Sequence, residues 1–220
     1  MEKIIVIGGK GSAVVLGEQI YDRQEKVGDV EFLGFSCDDP YPEVNGFPIL
    51  SPTREVYDRY KAYDDVKFLY MMYRPDLLKQ WCEFRDSLGI PIEKFTNFIH
   101  QSAFVSRSVK MGYGNVILAH STVNMNTVFG NFNTIHSNAL VGHDCMFGDS
   151  NFITAQCAIG SNNHFGNGNF VGLNSTVNNY TTIGNFTFVG MGSNVIKNLE
   201  DDVMVYGNPA KPRERKIKPL

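Results

Sequence analysis

The sequence predicts two units in series: a small α/β unit with a parallel sheet, then a triangular parallel β-coil of six-residue repeats. Three observations carry this. From Ile99 to Val195 every sixth residue is a branched aliphatic, a Met or a Phe, 17 positions without one slip of register. Residues 18 apart also share chemistry: Met111, Phe129, Phe147 and Phe165 form one series, and Asn115, Asn133, Asn151 and Asn169 another. Ahead of that stretch, apolar runs alternate with helical patterns and glycine-rich turns.

Lys3–Ile7 is a short apolar run followed at once by Gly8-Gly9-Lys10-Gly11-Ser12, and a loose helical pattern continues to about Lys26. Strand, glycine-rich turn and helix open a Rossmann-like βαβ unit, whose backbone N–H groups and helix N-terminus suit phosphate. The spacing does not match G-x-G-x-x-G, and a tight turn with no ligand fits the same residues. Val30–Phe35 reads as a second strand, ending in Cys37-Asp38-Asp39. Acids there often accept hydrogen bonds from a ribose or base; a polar turn before Pro40 and Pro42 is the other reading. Asn45-Gly46 marks a hairpin. Thr53 is expected to cap a helix to about Tyr63. Val66–Met72 reads as a buried strand, and Asp76 as the cap of a helix from Leu77 to Leu88 closed by Gly89. The first domain is thus expected over residues 1–90 and the second over 91–220.

A period of six fits neither a helix nor an ordinary strand. Glycine follows the apolar position in 9 of the 17 hexads, and a small side chain comes four residues after it in most. A bulky inward residue followed by a tight bend with a small inward residue suits a coil of three hexads per turn, which stacks residues 18 apart. Cys145 and Cys157 fall at the small inward position and are expected to fill the core. The pattern fails after Val195, since position 201 is Asp; Gly207-Asn208-Pro209-Ala210-Lys211 follows, then a basic tail with Arg213, Arg215, Lys216 and Lys218.

Composition narrows the function classes. Twenty basic and 23 acidic residues give a net charge of −3, against a polyanion-binding surface as the main purpose, so no nucleic-acid partner is expected. No apolar run is long enough for a membrane span, and the N-terminus reads as a strand and a loop. Four cysteines without a framework spacing suit a cytoplasmic protein with reduced thiols. None of the five histidines takes an inward position, so all should project outward, and their spacing speaks against a three-histidine zinc site; no metal is expected. His143 has the most distinctive setting, Val141-Gly142-His143-Asp144-Cys145. An imidazole can accept a proton at neutral pH from an attacking amine or hydroxyl, and Asp144 can interact with it. Ser161 lies 18 residues on, one coil above, so a group placed by residue 143 also meets backbone there.

The hexad [aliphatic]-Gly-x-x-[small]-x resembles the hexapeptide-repeat acyltransferases, whose fold is a left-handed parallel β-helix; the resemblance supplies the handedness. The order of a glycine-rich α/β domain, hexads containing Val141 to Cys145, and Gly207 to Lys211 looks like one subfamily over nearly the whole chain. It holds the bacterial nucleotide-amino-sugar N-acetyltransferases and sialic acid O-acetyltransferases of glycan biosynthesis. The resemblance implies His143 as general base supported by Asp144, and a Ser161 N–H that holds the thioester carbonyl of acetyl-CoA. It also implies that Gly207, Pro209, Ala210 and Lys211 lie along the CoA. Gly8, Gly9, Lys10, Gly11, Asp38 and Asp39 would hold the nucleotide-linked amino sugar through a uridine nucleotide, and His136 would touch the sugar. The implied assembly is a homotrimer with each site between neighbouring coils, and the implied chemistry is direct attack of the amine without an acyl-enzyme. Four departures stand out: Phe152 for a second histidine near the acyl group, His136 for an asparagine, Lys10 for a histidine, and Met72-Tyr73-Arg74-Pro75 without the usual Gly-Asn. O-acetylation of a sugar such as sialic acid is the alternative enzyme reading. A ligand-binding β-helix without catalysis is the third, favoured by Phe152 and His136.

Overall fold

The computed structural model describes residues 1–213; Arg215, Lys216 and Lys218 lie outside them. The first unit runs β1 (Glu2–Ile7), α1 (Ser12–Lys26), β2 (Val30–Ser36), β3 (Glu43–Val44), β4 (Phe47–Ser51), α2 (Val56–Tyr60), β5 (Val66–Tyr70) and α3 (Leu78–Ser87). The sheet order is β3-β4-β2-β1-β5. All pairings are parallel except β3–β4, the hairpin turned by Asn45 and Gly46, both with positive φ. β1 therefore has β2 on one side and β5 on the other, and the chain reverses direction across the sheet at β1. The sheet is buried on both sides, which is why β1 reads as continuous apolar sequence rather than an alternating one.

The helix cap expected at Thr53 is corrected. Thr53 is buried inside a 3-10 turn (Thr53–Glu55) and its hydroxyl has no partner among the described residues. The helix that follows stops at Tyr60, short of Tyr63. Asp76 is paired with Arg74 at 2.6 Å, just ahead of α3, which begins at Leu78. Gly89, at φ +64, follows the end of that helix as expected.

From Phe98 the chain is a left-handed parallel β-helix. Its two-residue strands lie in three sheets. Face 1 starts with Phe98–Ile99, face 2 with Phe104–Val105 and face 3 with Lys110–Met111. Each strand pairs in parallel with those 18 residues before and after, so Phe147 lies between Phe129 and Phe165 with ring centroids 4.8 and 4.6 Å apart. The inward aliphatics form one continuous buried column, and Cys145 and Cys157 fill it as expected. The asparagine series is a buried ladder. Asn133, Asn151 and Asn169 each donate Nδ2–H to the Oδ1 of the asparagine one coil below, at 2.9–3.1 Å. A coil that must turn three times per 18 residues leaves backbone groups pointing inward, and the ladder satisfies them.

The coil does not stop where the hexad fails. Phe188 pairs with Met204, 16 residues on, and Asn185 N–H bonds to Asp201 Oδ1 at 2.7 Å. The last coil is two residues shorter, so the strand Met204–Tyr206 extends face 1 and then pairs antiparallel with Lys211–Arg213.

The α/β unit covers face 1. Its sheet and α1 share one buried cluster with Phe98, Val116, Leu118 and Phe152 of the coil. Outward-facing residues of the coil are therefore not all exposed. His100 is buried against Asp22 of α1, with 3.3 Å between Nε2 and Oδ2, and Gln19 of the same helix accepts the Ala119 N–H.

Candidate active site

Three loops meet at the C-terminal ends of β1, β2 and β5, where the strand order reverses, the position at which open α/β sheets take their ligands. Gly9 and Lys10, then Cys37, Asp38 and Asp39, then Met71, Met72 and Tyr73 line a cavity of about 250 Å³ there, with Trp81 of α3 completing it. Gly8 has φ +129, and a Cβ on it would stand 3.0 Å from the Met71 carbonyl; a Cβ on Gly9 would stand 2.5 Å from Cys37 Sγ. The glycines let the three loops close on one another. Gly11 is the N-cap of α1, with no side chain capping the helix and no acid in its first turn, so the positive end of the helix dipole is left uncompensated there. Lys10 Nζ lies 3.3 Å from Asp39 Oδ2.

The two acids differ. Asp38 Oδ1 accepts the Thr53 N–H at 3.1 Å, which ties β2 to the turn before α2. Asp39 accepts the Tyr41 N–H with one oxygen and pairs Lys10 with the other.

His143 sits on the turn between a face 2 strand (Leu140–Val141) and a face 3 strand (Met146–Phe147). Its Nδ1 is 2.6 Å from Asp144 Oδ2. Asp144 adopts φ +56 and also accepts Asn126 Nδ2–H at 3.0 Å. The bond to His143 first, and that from Asn126 second, hold this carboxyl below its ordinary range. An ionised carboxylate only accepts, so Nδ1 carries the imidazole proton and the lone pair of Nε2 is left for an incoming one. Gly142 makes the close stacking possible: a Cβ there would come within 2.6 Å of the Gly160 backbone.

Ser161 lies one coil above, its Oγ accepting the His143 N–H at 3.3 Å. Its own N–H is committed to Asn179 Oδ1 at 2.7 Å, which the hexad pattern does not reveal. His136 occupies the turn between faces 1 and 2, half-buried, its Nδ1 accepting the Ser137 N–H at 3.0 Å. Desolvation pushes its pKa below the ordinary value. Phe152 is buried on face 1 and stacks on Tyr73 at 3.8 Å between centroids. Gly207 to Lys211 fold over the top of the coil: the Asn194 N–H bonds to the Gly207 carbonyl and the Ala210 N–H to the Asn194 carbonyl.

The structure thus brings Gly8 to Gly11, Asp38 and Asp39 together, and His143 with Asp144 and Ser161, but it does not join the two groups. Face 1 carries the α/β unit, and the edge between faces 2 and 3 is the one edge of a triangular coil that does not border face 1. Around His143 that edge exposes Met125, Leu140, Met146 and Tyr180. Sequence reasoning missed Cys37, Met71 and Trp81 as cavity residues. Trp81 is the single tryptophan of the chain, and its place on a short amphipathic helix reads as core. Among the described residues no group of three His, Cys, Asp or Glu side chains is placed to hold a metal ion, and no helix is long and apolar enough to cross a membrane.

No protein-family model and no curated protein matches the chain. Solved structures do. The acetyltransferase domain of PglB from Neisseria gonorrhoeae, in complex with acetyl coenzyme A, is 25% identical with a TM-score of 0.83, covering 96% of this chain and 99% of its own. PerB from Caulobacter crescentus, in complex with CoA and GDP-perosamine, is 23% identical with a TM-score of 0.78 over 97% of this chain and 98% of its own. WeeI from Acinetobacter baumannii is 20% identical with a TM-score of 0.80 over 97% of this chain and 100% of its own. Over nearly its whole length, this chain is similar to the hexapeptide-repeat acetyltransferases with a left-handed β-helix.

Proposed function

We propose that this chain is an acetyl-CoA-dependent N-acetyltransferase acting on a nucleotide-linked amino sugar. The observation that carries the reading is the His143–Asp144 pair, an exposed imidazole with Nδ1 held by a carboxylate at 2.6 Å and Nε2 open. The likeness to an acetyltransferase domain that binds acetyl coenzyme A supports the donor, and the cavity at the ends of β1, β2 and β5 supports a nucleotide on the acceptor.

The amine attacks the thioester carbonyl carbon and His143 Nε2 takes its proton. The tetrahedral centre then collapses with loss of the CoA thiolate, which leaves as the thiol once protonated. Asp144 stabilises the imidazolium that forms, and positioning does the rest. For Ser161 to hold the thioester carbonyl, its N–H must leave Asn179 Oδ1. Gly207, Pro209, Ala210 and Lys211 lie along the CoA. The uncapped N-terminus of α1 and Lys10 face the diphosphate, Asp39 the nucleoside, and His136 the sugar.

The cavity and His143 lie on different sides of one coil, so the site is completed between copies, in a homotrimer. The exposed Met125, Leu140, Met146 and Tyr180 beside His143 support a protein surface docking there. Four free cysteines, with burial pushing the thiols of Cys145 and Cys157 above their ordinary pKa, suit the cytoplasm and give no nucleophile to an acyl-enzyme route.

Release of free CoA thiol from acetyl-CoA tests this, with nucleotide-linked 3-amino and 4-amino sugars and sialic acid as acceptors, and wild type beside His143→Ala. Turnover on an amino sugar that collapses in the variant is expected. Turnover on hydroxyl acceptors alone would make the chain an O-acetyltransferase, and none on any acceptor would leave a binding protein.

A further inference from the structure

Acyl transfer gathers negative charge on the thioester oxygen, and a donor aimed at that oxygen beforehand speeds the step. On the His143 edge the backbone has no such donor to spare. The corner Gly142 to Asp144 gives its N–H groups to Ile159, Ser161 and Met125. The corner Gly160 to Asn162, one coil above, gives its own to Val177, Asn179 and His143. The bond from the Ser161 N–H to Asn179 Oδ1, at 2.7 Å, is the shortest of these. Breaking it would strand the amide oxygen that now accepts it.

The Ser161 hydroxyl is differently placed. Its oxygen accepts the His143 N–H at 3.3 Å, while its own hydrogen has no acceptor among the described residues. That hydrogen turns to suit its surroundings, and an oxygen that already accepts one bond donates a stronger one. Ser161 is half-buried and stands one coil, about 4.8 Å, from the residue that carries the imidazole.

We infer that Ser161 is a further catalytic residue, bonding the thioester oxygen of the acyl donor through its hydroxyl and not through its backbone N–H. The inference rests on the acyl-transfer reading above and deepens it. As the amine nitrogen bonds to the carbonyl carbon, the C=O π pair moves onto oxygen, where the Ser161 O–H meets it. His143 Nε2 takes the amine proton. The pair then returns to re-form C=O as the C–S bond breaks, and sulfur leaves with the bonding electrons. The serine keeps its proton throughout and forms no ester. The bond from its N–H to Asn179 stays closed, so the stacked coils need not open during turnover.

Release of CoA thiol by the full chain, with an acceptor that the wild type turns over, tests this beside calorimetric titration with acetyl-CoA. Ser161→Ala keeps the N–H and removes the hydroxyl. It should lower kcat roughly 10²–10³-fold and change acetyl-CoA affinity little, because the bond tightens only as charge develops. Ser161→Thr restores a hydroxyl and should recover most of the rate. Asn179→Ala frees the N–H and should not raise kcat. The acid limb of the pH–rate profile, which His143 sets on this reading, should stay in place in Ser161→Ala. A limb that moves would reduce Ser161 to a positioning residue for the imidazole and overturn the inference. Full activity in Ser161→Ala, or a kcat that rises in Asn179→Ala, would also overturn it and return the role to the N–H, with acyl transfer still standing. A wild type that neither binds acetyl-CoA nor releases thiol would bring down the inference and the acyl-transfer reading together.

Discussion

The two halves of the candidate site are built in opposite ways. On the His143 edge the hydrogen bonding is closed. The His143 N–H goes to Ser161, the Asp144 N–H to Met125, the Ser161 N–H to Asn179, and the His143 imidazole to Asp144. Every one of these bonds except that within the His–Asp pair joins one coil to the next, so the edge is as ordered as the ladder beneath it. The cavity is the reverse: three loops from separate strands and one helix meet there. On the proposed function the repeat would place the group that takes the proton, where small displacements are expensive. The non-repeating unit would hold the acceptor, where residues can change without disturbing a periodic lattice.

That contrast can be broken, most forcefully at His143. His143→Ala should lower the rate by roughly 10²–10⁴-fold while leaving nucleotide affinity unchanged, since on the proposed function the base acts at the sugar amine and the cavity holds the nucleotide. A parallel loss of nucleotide affinity, read by calorimetry, would mean that edge and cavity are coupled. The next effect is on stability. A Cβ at Gly142 meets the backbone of Gly160, which cannot yield, whereas one at Gly9 meets the side chain of Cys37. Gly142→Ala should cost about 1–3 kcal/mol in urea unfolding. Gly9→Ala should cost less and act chiefly on nucleotide binding; equal costs would erase the distinction between a rigid edge and an adaptable cavity. The smallest effect is a pH dependence. His136 is desolvated and its pKa falls below the unfolded value near 6.5. Between those two values the unfolded chain binds the extra proton, so stability falls as pH drops below about 6.5. Thermal unfolding of His136→Asn should show a flatter decline from pH 7 to 5 than the wild type; identical slopes would place His136 in solvent.

Legibility in the sequence divides along the same line. Each inward position of the coil depends only on the residue six before and eighteen away, so the period alone predicts the core, the asparagine ladder and the buried cysteines. It fails at position 201 because the last coil drops two residues, so that Asp201 meets the Asn185 amide two residues early. It also says nothing about what covers a face. Phe152, Phe170 and His100 stand at outward positions of the hexad, yet α1 and the segment after β5 pack over them. In the α/β unit the strands and the Asn45-Gly46 hairpin were readable because each is a local signal. The roles of Thr53 and Trp81 were not, because each is set by a neighbour distant in the fold. Of the site, the loops of the cavity and the His143–Asp144 pair followed from short motifs. The commitment of the Ser161 N–H to Asn179 did not.

The final hairpin bears on solubility. A parallel coil ends in an open rim of unpaired backbone groups, onto which another chain could stack as if it were the next turn. Over face 1 that rim is occupied by Lys211–Arg213, which runs antiparallel to Met204–Tyr206 and so breaks the repeat direction. Pro212 has no N–H to donate, and Lys211 and Arg213 place charge on either side of it. The last strand thereby guards one end of the coil against fibrous end-to-end growth.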